Sequence, residues 1–322
     1  MCIRDRSFIR PLVAWGLIGA LVFVLLWPAM WVDPLGTLAK VFSTATTYAV
    51  EGHDEATFFN GSVYPQGTSA WYFYPLAFLW RATPVLLAGL ALALILGLFR
   101  RKAAFTAEQR RAAAALLLFV LLFTLFMTLA EKKFERYLLP VHAPTALIAG
   151  LGYVATGKLL VSRLRFLGSS LLRSRLVLGG VLGLLILAQA WGALRTSPYY
   201  LTYYNPMLGG IHSAGRVMML GWGEGLEQAG QYLSSKPQAG LLHVISWYPN
   251  GSFSYFFYGN TLNKEFDDPY DMPEEADYAV LYVHQWQLEA PNRAFLDYFA
   301  AREPEFTAVI DGVEYAWVYA LP

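Results

Sequence analysis

The sequence predicts a polytopic α-helical membrane protein with about five transmembrane helices, followed by a small extracytoplasmic α/β domain. Of its 322 residues, 56% are hydrophobic, and the mean hydropathy is +0.40. This is too apolar for a soluble globular protein of this length. Several runs approach the ~20 apolar residues that cross a bilayer. After residue 194, patterns of short strands and polar helices replace these runs.

The predicted spans are residues 9–27, 84–99, 112–129, 138–160 and 176–194. The second is short for a span unless residues 74–80 extend it. We therefore expect a transmembrane domain over residues 8–194, with external loops at 32–73 and 130–137, and an extracytoplasmic α/β domain over 195–322.

Charge distribution predicts the orientation, because cytoplasmic connections carry an excess of Lys and Arg. The connections 100–111 and 158–175 show this excess, with Arg100, Arg101, Lys102, Arg110, Arg111, Lys158, Arg163, Arg165, Arg173 and Arg175. Loop 32–73 is acidic, so we expect it outside. Alternation then places residues 130–137 and everything after residue 194 outside as well.

The first residues, MCIRDRS, match no signal peptide. Converted back into codons, they resemble the mosaic-end oligonucleotide of transposase-based sequencing libraries. We expect residues 1–7 to be an adapter artefact, with the adapter itself encoding residues 1–6, and the natural chain to begin upstream. The alternative is a short cytoplasmic N-terminus. The net charge of +1 argues against a nucleic-acid partner, and Cys2 alone cannot form a disulfide framework.

The remaining elements follow from local patterns. Residues 34–50 have the spacing of a helix lying along the membrane surface. In the outer domain, the patterns predict helices over residues 224–236 and 292–303 and buried strands over residues 241–248 and 276–286. Asp311-Gly312 predicts a hairpin turn. These elements predict a partly parallel sheet that ends in an antiparallel pair.

A basic cluster stands at the start of the fourth span, with Lys132, Lys133 and Arg136 followed by Tyr137. Such donors at the outer membrane surface suit a phosphate whose lipid tail lies in the bilayer. The alternative is ordinary snorkelling to lipid headgroups. The outside position favours a phosphate site, because the positive-inside bias normally removes cations there.

A second candidate lies in the first external loop, at His53, Asp54 and Glu55. These residues could bind a divalent cation, act as a base or hydrogen-bond a sugar. The alternative is a solvated acidic turn. His142, inside a span, is expected to be neutral and bonded to a backbone carbonyl. The glycine-rich stretch 221–225 is expected to be a tight turn before a helix.

Four stretches resemble lipid-carrier-dependent GT-C glycosyltransferases, the bacterial relatives of protein O-mannosyltransferases and of the aminoarabinose transferases that modify lipid A. KKFERYLLPVHAP (132–144) resembles their Lys-x-x-Arg-Tyr-Leu-Leu-Pro signature. GHDEATFFNGSVYPQGTSAWYFYPLAFLWRATP (52–84) resembles their external loop and re-entry helix. SPYYLTYYNPMLGG (197–210) and GWGEGLEQAGQYL (221–233) resemble the junction with their outer domain. The resemblance runs from about residue 12 to the end.

The resemblance implies transfer of a hexose or pentose, with inversion, from a polyprenyl-phosphate donor to an acceptor hydroxyl at the outer face of a prokaryotic inner membrane. It implies that Lys132, Lys133, Arg136 and Tyr137 bind the donor phosphate and that His53, Asp54 and Glu55 lie near the sugar. The sequence departs from the family in having about half its spans and no counterpart of its catalytic carboxylate. The resemblance therefore implies a C-terminal half that is inactive alone.

A different class of function remains open. The chain could be a non-catalytic membrane-anchored protein that displays an α/β sensor or binding domain outside. A transporter is disfavoured, because few ionisable groups lie inside the spans and no pair of broken helices recurs in two matching halves.

Overall fold

The structure is a computed structural model that describes residues 6–50, 56–64, 70–130, 133–166, 170–248, 251–262 and 272–322. Residues 1–53 and 54–322 form two compact units. The second unit includes both the long helices after residue 70 and the sheet. The predicted boundary at residue 195 stays a prediction.

The described residues of the first unit contain three helices, α1 (Arg6–Leu26), α2 (Ala29–Val32) and α3 (Pro34–Val50). The side chains at positions 9–26 are all exposed, as expected of an apolar helix that faces lipid. Asp33 Oδ1 accepts a hydrogen bond from the backbone N–H of Gly36 at 2.9 Å. This carboxylate cap and the proline that follows it begin α3. The predicted helix over 34–50 is confirmed.

The second unit contains eleven helices within its described residues. They are α4 (Phe73–Arg81), α5 (Pro84–Phe99), α6 (Arg101–Ala104), α7 (Ala107–Leu129), α8 (Leu139–Phe166), α9 (Leu171–Arg195), α10 (Gly210–Ala214), α11 (Leu226–Ser234), α12 (Ser252–Phe256), α13 (Val283–Leu288) and α14 (Arg293–Ala300). Local caps explain two of the starts. The Thr83 side chain accepts from Leu86 N before α5, and Thr106 and Gln109 form a capping box at α7.

Among the described residues, four helical segments are long and apolar enough to cross a membrane: Ile9–Leu26, Ala107–Leu129, Glu135–Phe166 and Leu176–Arg195. The pair α4 and α5 would make a fifth, but it is bent by 115°. The predicted number of about five apolar helices is therefore confirmed by length and composition. Residues 74–80 do not extend the second span as a straight helix.

Small residues let α5 and α8 approach closely. A Cβ on Gly152 of α8 would lie 2.3 Å from the carbonyl oxygen of Gly89 in α5. The Tyr153 hydroxyl donates to the backbone carbonyl of Val85 at 2.6 Å. Close backbone contact through glycine, with a hydroxyl bonded across the interface, is typical of membrane helix pairs.

The strands are β1 (Thr57–Phe59), β2 (Ser62–Tyr64), β3 (His243–Ser246), β4 (Asn260–Leu262), β5 (Tyr278–Tyr282), β6 (Phe306–Ile310) and β7 (Val313–Ala320). β1 and β2 form a hairpin; the others form one sheet in the order β4-β3-β5-β7-β6. β3 pairs parallel with both β4 and β5, whereas β7 pairs antiparallel with β5 and β6. The predicted mixed sheet is confirmed.

The main hydrophobic core of the second unit joins the sheet to α4, the start of α8 and α10 to α13, and α14 packs on the sheet in a separate cluster. The buried members of the main core include Tyr74 and Trp80 of α4, Leu138 before α8, and Tyr282 and Tyr315 of the sheet. The α4 backbone is also tied to the segment after α9, because Asn205 N donates to Trp80 O at 2.7 Å. The helices next to the predicted outer domain are thus packed into its core.

Two local predictions can be compared directly. Asp311 and Gly312 adopt φ angles of 50° and 76°, the left-handed pair that the β6–β7 hairpin turn requires. The predicted strand over 276–286 is wrong in its second half, because the chain turns at Tyr282 and Val283–Leu288 is the helix α13. Gln285 causes this turn, since its side chain accepts the backbone N–H of Tyr282 at 2.9 Å.

Candidate functional site

Arg81, the last residue of α4, is held in a buried network where the helices meet the sheet. Its guanidinium forms a bidentate ion pair with Glu135, of which one hydrogen bond measures 2.8 Å. It also donates to the carbonyls of Leu201 and Tyr203 at 2.7 and 2.6 Å and to the Tyr204 hydroxyl at 3.0 Å. We call these residues the Arg81 network. Every group in it has a partner, which is what burial of a charge demands.

Arg136, one residue beyond Glu135, has a different environment. It is exposed, and its guanidinium carbon lies 4.4 Å from the ring centroids of Phe134 and Trp222 and 5.7 Å from that of Tyr137. These four residues form the Arg136 platform. Within the described part of the chain, the Arg136 side chain makes no ion pair and no hydrogen bond. Aromatic faces orient a guanidinium without using its five N–H donors.

The other residues that are predicted to bind the phosphate differ in their exposure to solvent. Lys133 is 7% exposed, and its Nζ donates to the carbonyl of Ala130 at the end of α7 at 2.7 Å. Tyr137 is half-buried, in the 3₁₀ turn Glu135–Leu138 that leads into α8. Lys132 lies outside the described residues. Of the predicted basic cluster, the structure thus presents Arg136 on the surface and Lys133 inside.

Residues His53, Asp54 and Glu55 also lie outside the described residues, so their predicted roles stay predictions. His142 is half-buried in α8, and its ring is tilted against that of Phe78 with the centroids 5.4 Å apart. No group of three or more His, Cys, Asp or Glu side chains in the described ranges could hold a metal ion.

A cluster that sequence reasoning missed lies where the parallel strands end. Ser246 ends β3 and Tyr282 ends β5, with Tyr248 and His284 two residues beyond each strand. The chain passes from β3 to β4 on one side and then to β5 on the other. The carboxyl ends of β3 and β5 therefore form a topological switch point, the usual ligand position in open α/β sheets.

Polar groups meet at this switch point. The Tyr248 hydroxyl and His284 Nδ1 are 2.7 Å apart. The Tyr282 hydroxyl accepts the N–H of Gly223 at 2.9 Å and donates to the carbonyl of Glu224 at 3.1 Å. We call Glu224, Ser246, Tyr248, Tyr282 and His284 the strand-end cluster. Trp222 joins it to the Arg136 platform, because its ring lies 6.2 Å from that of His284.

Three buried atoms of this cluster have no hydrogen-bond partner within the described residues: Glu224 Oε1, Ser246 Oγ and His284 Nε2. Buried polar atoms without partners are uncommon and indicate a bound water, an ion or a functional role. Burial lowers the pKa of His284 to about 4, so its imidazole is neutral at pH 7. Burial also raises the pKa of Tyr282, which keeps that hydroxyl protonated.

The predicted tight turn over 221–225 is confirmed. Gly221, Gly223 and Gly225 all have positive φ, and α11 begins at Leu226. A Cβ on Gly221 would lie 2.5 Å from the Tyr282 hydroxyl, so glycine is required for the loop to reach the strand ends. The signal that could have identified the cluster was this loop, together with the Ser, Tyr and His residues at the ends of β3 and β5 and just beyond them.

Comparisons with family models, curated proteins and solved structures find no match to this chain. The residues and their geometry therefore carry the functional argument.

Proposed function

We propose that the chain is the C-terminal part of an integral-membrane glycosyltransferase that moves a sugar from a polyprenyl-phosphate donor to an acceptor hydroxyl at the outer face of a prokaryotic inner membrane. In this proposal Arg136 binds the donor phosphate, Tyr137 lies beside it, and the acceptor is a lipid, a glycan or a protein. The catalytic base belongs to an upstream part, and the chain alone is inactive in transfer.

The observation that carries the proposal is the unequal pairing of neighbouring charges. Glu135 is the acid nearest to Arg136 in sequence, and it is bound to Arg81 by a bidentate pair. Arg136 is left without a carboxylate among the described residues and is held by three aromatic rings. An exposed, oriented guanidinium with its donors available is suited to a phosphate, which it can bind in a bidentate manner.

The position of Arg136 supports a lipid-linked phosphate over a soluble one. The 3₁₀ turn that contains it continues into α8 as one apolar segment, Glu135–Phe166. An isoprenoid tail could then run along α8 and α7, whose apolar side chains include the exposed Leu139, Leu129 and Phe126. In transfer, the phosphate is the leaving group. A fixed cation there would stabilise the charge that develops as the glycosidic bond breaks.

The direct test is binding of a polyprenyl phosphate to the full chain in nanodiscs, compared with the polyprenol that has the same tail but no phosphate. Loss of a charge-assisted contact in Arg136→Gln should weaken phosphate binding roughly tenfold or more and leave polyprenol binding unchanged. The matched control is Arg293→Gln on α14, because Arg293 is also exposed but pairs with Glu289 and Asp297.

Two results would overturn the proposal. Equal binding of polyprenyl phosphate and polyprenol by the unmodified chain would show that the chain does not recognise the phosphate. Undiminished phosphate binding by Arg136→Gln, with thermal unfolding like that of the unmodified chain, would show that Arg136 does not bind the phosphate.

The strand-end cluster favours a second candidate, a membrane-anchored binding or sensor protein. Its three unpartnered buried polar atoms suit a small hydroxylated ligand at the switch point. In that case, thermal stabilisation of the full chain by such ligands, with monosaccharides as the probes, should be lost in Ser246→Ala and kept in Arg136→Gln. The absence of stabilisation by any probe would count against this candidate.

A further inference from the structure

A cavity of about 250 Å³ lies at the end of α9, away from the Arg136 platform and the strand-end cluster. Its walls come from the last turns of α9, the segment after α9, the start of α10 and the tip of the β6–β7 hairpin. The residues that matter for its chemistry are Trp191, Gly192, Arg195, Tyr203, His212 and Asp311. We call it the Arg195 cavity.

The cavity contains two opposite charges that are not used elsewhere. Arg195 and Asp311 are both exposed, and neither side chain forms an ion pair or a hydrogen bond with another residue in the ranges that the structure describes. The rest of the lining is mostly aromatic, aliphatic or glycine. A cation and an anion on one small concave surface are complementary to a ligand that carries both charges.

The position of the cavity points to a lipid. Arg195 is the last residue of the apolar segment Leu176–Arg195. Trp191, one turn earlier, is 67% exposed, as are the large apolar residues Leu184, Leu187 and Leu194 to a similar extent. Tryptophan at the end of an apolar helix is typical of the interface between acyl chains and headgroups. Arg195 also stands at the opposite end of α9 from the basic connection 158–175, where cations are uncommon and call for a reason.

We propose that the Arg195 cavity binds the headgroup of a zwitterionic phospholipid with a primary amine. The phosphate binds the Arg195 guanidinium, the ammonium group binds the Asp311 carboxylate, and the acyl chains lie along α9. A volume of about 250 Å³ is just below the ~300–1,000 Å³ of sites for whole drug-sized ligands, which fits a headgroup whose tails remain in the bilayer. This proposal does not depend on the proposed glycosyltransferase function.

The test is a native mass-spectrometry titration of the full chain in detergent with phosphatidylethanolamine and, separately, phosphatidylglycerol. The unmodified chain should prefer phosphatidylethanolamine. Arg195→Gln should weaken both lipids roughly tenfold or more, because the phosphate contact is common to them. Asp311→Asn should weaken phosphatidylethanolamine alone, and the preference should fall to about one.

Two further variants make the result specific. Gly192 lines the cavity, and a Cβ there would meet the Tyr203 ring at 3.4 Å, an ordinary contact. Gly192→Leu should therefore be tolerated by the fold but should fill the cavity and weaken both lipids. The matched control is the Arg293→Gln and Asp297→Asn pair on α14, which removes an exposed ion pair outside the cavity and should change neither lipid.

Three outcomes would overturn the proposal. Unchanged phosphatidylethanolamine binding in Arg195→Gln would show that the cavity does not hold the phosphate. Equal loss of both lipids in Asp311→Asn would show that Asp311 does not recognise an amine. Unchanged binding in a folded Gly192→Leu protein would place the lipid elsewhere. Binding of polyprenyl phosphate should be unaffected by Arg195→Gln, so this proposal and the proposed function can fail independently.

Discussion

Arg81 pairs with Glu135 and Arg136 follows Glu135 in the chain, yet the surroundings of the two arginines differ. The Arg81 side chain is only 16% exposed and has a carboxylate, a tyrosine hydroxyl and two backbone carbonyls as partners, besides the Tyr204 ring 3.9 Å from its guanidinium carbon. Arg136 is exposed and contacts aromatic faces only, within the described residues. Because Glu135 pairs with Arg81, the first arginine ties α4 to the segment after α9, whereas the side-chain donors of the second have no partner among the described residues. Two arginines that meet at one short segment can therefore differ completely in what they bind.

The largest effect should come from breaking the Arg81 network. Glu135→Gln leaves the Arg81 guanidinium buried without its counter-charge. Loss of one partner of a buried ion pair costs about 3–5 kcal/mol, so the free energy of unfolding should fall by that amount. Chemical denaturation of the detergent-solubilised chain measures it. A loss below about 1 kcal/mol would mean that the pair behaves as a surface pair.

The next prediction concerns the pH dependence of stability. It tests His284, whose ring lies beside Trp222 of the Arg136 platform. Burial lowers the pKa of His284 from 6.5 in the unfolded chain to about 4. The unfolded state therefore binds a proton at a higher pH than the folded state does, and stability should fall as the pH falls from about 6.5 to about 4. Between about pH 6.5 and about pH 4, the unfolding free energy should fall by an amount on the order of a few kcal/mol.

His284→Gln removes this titration, so the difference between the two pH profiles isolates it. His212→Gln, at an exposed histidine, is the control. If the profiles of the unmodified chain and His284→Gln are parallel between pH 6.5 and 4, His284 is not buried in its neutral form.

A smaller effect is expected at Arg136 itself. Arg136→Gln removes cation–π contacts at an exposed site, which contribute about 0.5–1 kcal/mol. The unfolding free energy should therefore change by about 1 kcal/mol or less, in contrast to Glu135→Gln. Thermal and chemical unfolding of both variants under one set of conditions gives the comparison. A loss of several kcal/mol in Arg136→Gln would make this arginine a structural residue.

The smallest effect should come from an ion pair near the surface, Lys236 with Glu305. The hydrogen bond from Lys236 lowers the pKa of Glu305 below its usual 4.5. Its contribution to stability is therefore present above about pH 4.5 and is lost as the pH falls further. The Glu305 side chain is 38% exposed, so Glu305→Gln should cost only about 0.2–1 kcal/mol at pH 7. A cost as large as that of Glu135→Gln would mean that burial does not explain why the Arg81–Glu135 pair stabilises the fold more than the Lys236–Glu305 pair.

The sequence predicted the features that depend on local or periodic patterns. The apolar helices follow from runs of sufficient length, and the β6–β7 turn follows from Asp311-Gly312. Helix α3 follows from the spacing of its apolar residues. The exposed position of Arg136 also agrees with its predicted role, although the phosphate itself stays a prediction.

Other features depend on contacts between distant residues and could not be predicted in this way. Lys133 and Arg136 belong to one basic cluster of the sequence, yet Lys133 is 7% exposed and Arg136 is exposed. The strand-end cluster joins Glu224 to Tyr282 across 58 positions, so no spacing indicates it. The 115° bend after Arg81 is different, because Thr83 and Pro84 at the start of α5 are a local signal for it.

The central claim is that Arg136 holds the phosphate of a lipid carrier. The most direct measurement is the ³¹P–¹⁵N dipolar coupling between bound polyprenyl phosphate and ¹⁵N-arginine-labelled chain in lipid bilayers. A direct charge-assisted hydrogen bond predicts a phosphorus–nitrogen distance of about 4 Å or less, with the coupling lost in Arg136→Gln and kept in Arg195→Gln. A coupling that survives Arg136→Gln, or no coupling in a chain that binds the lipid, would contradict the claim.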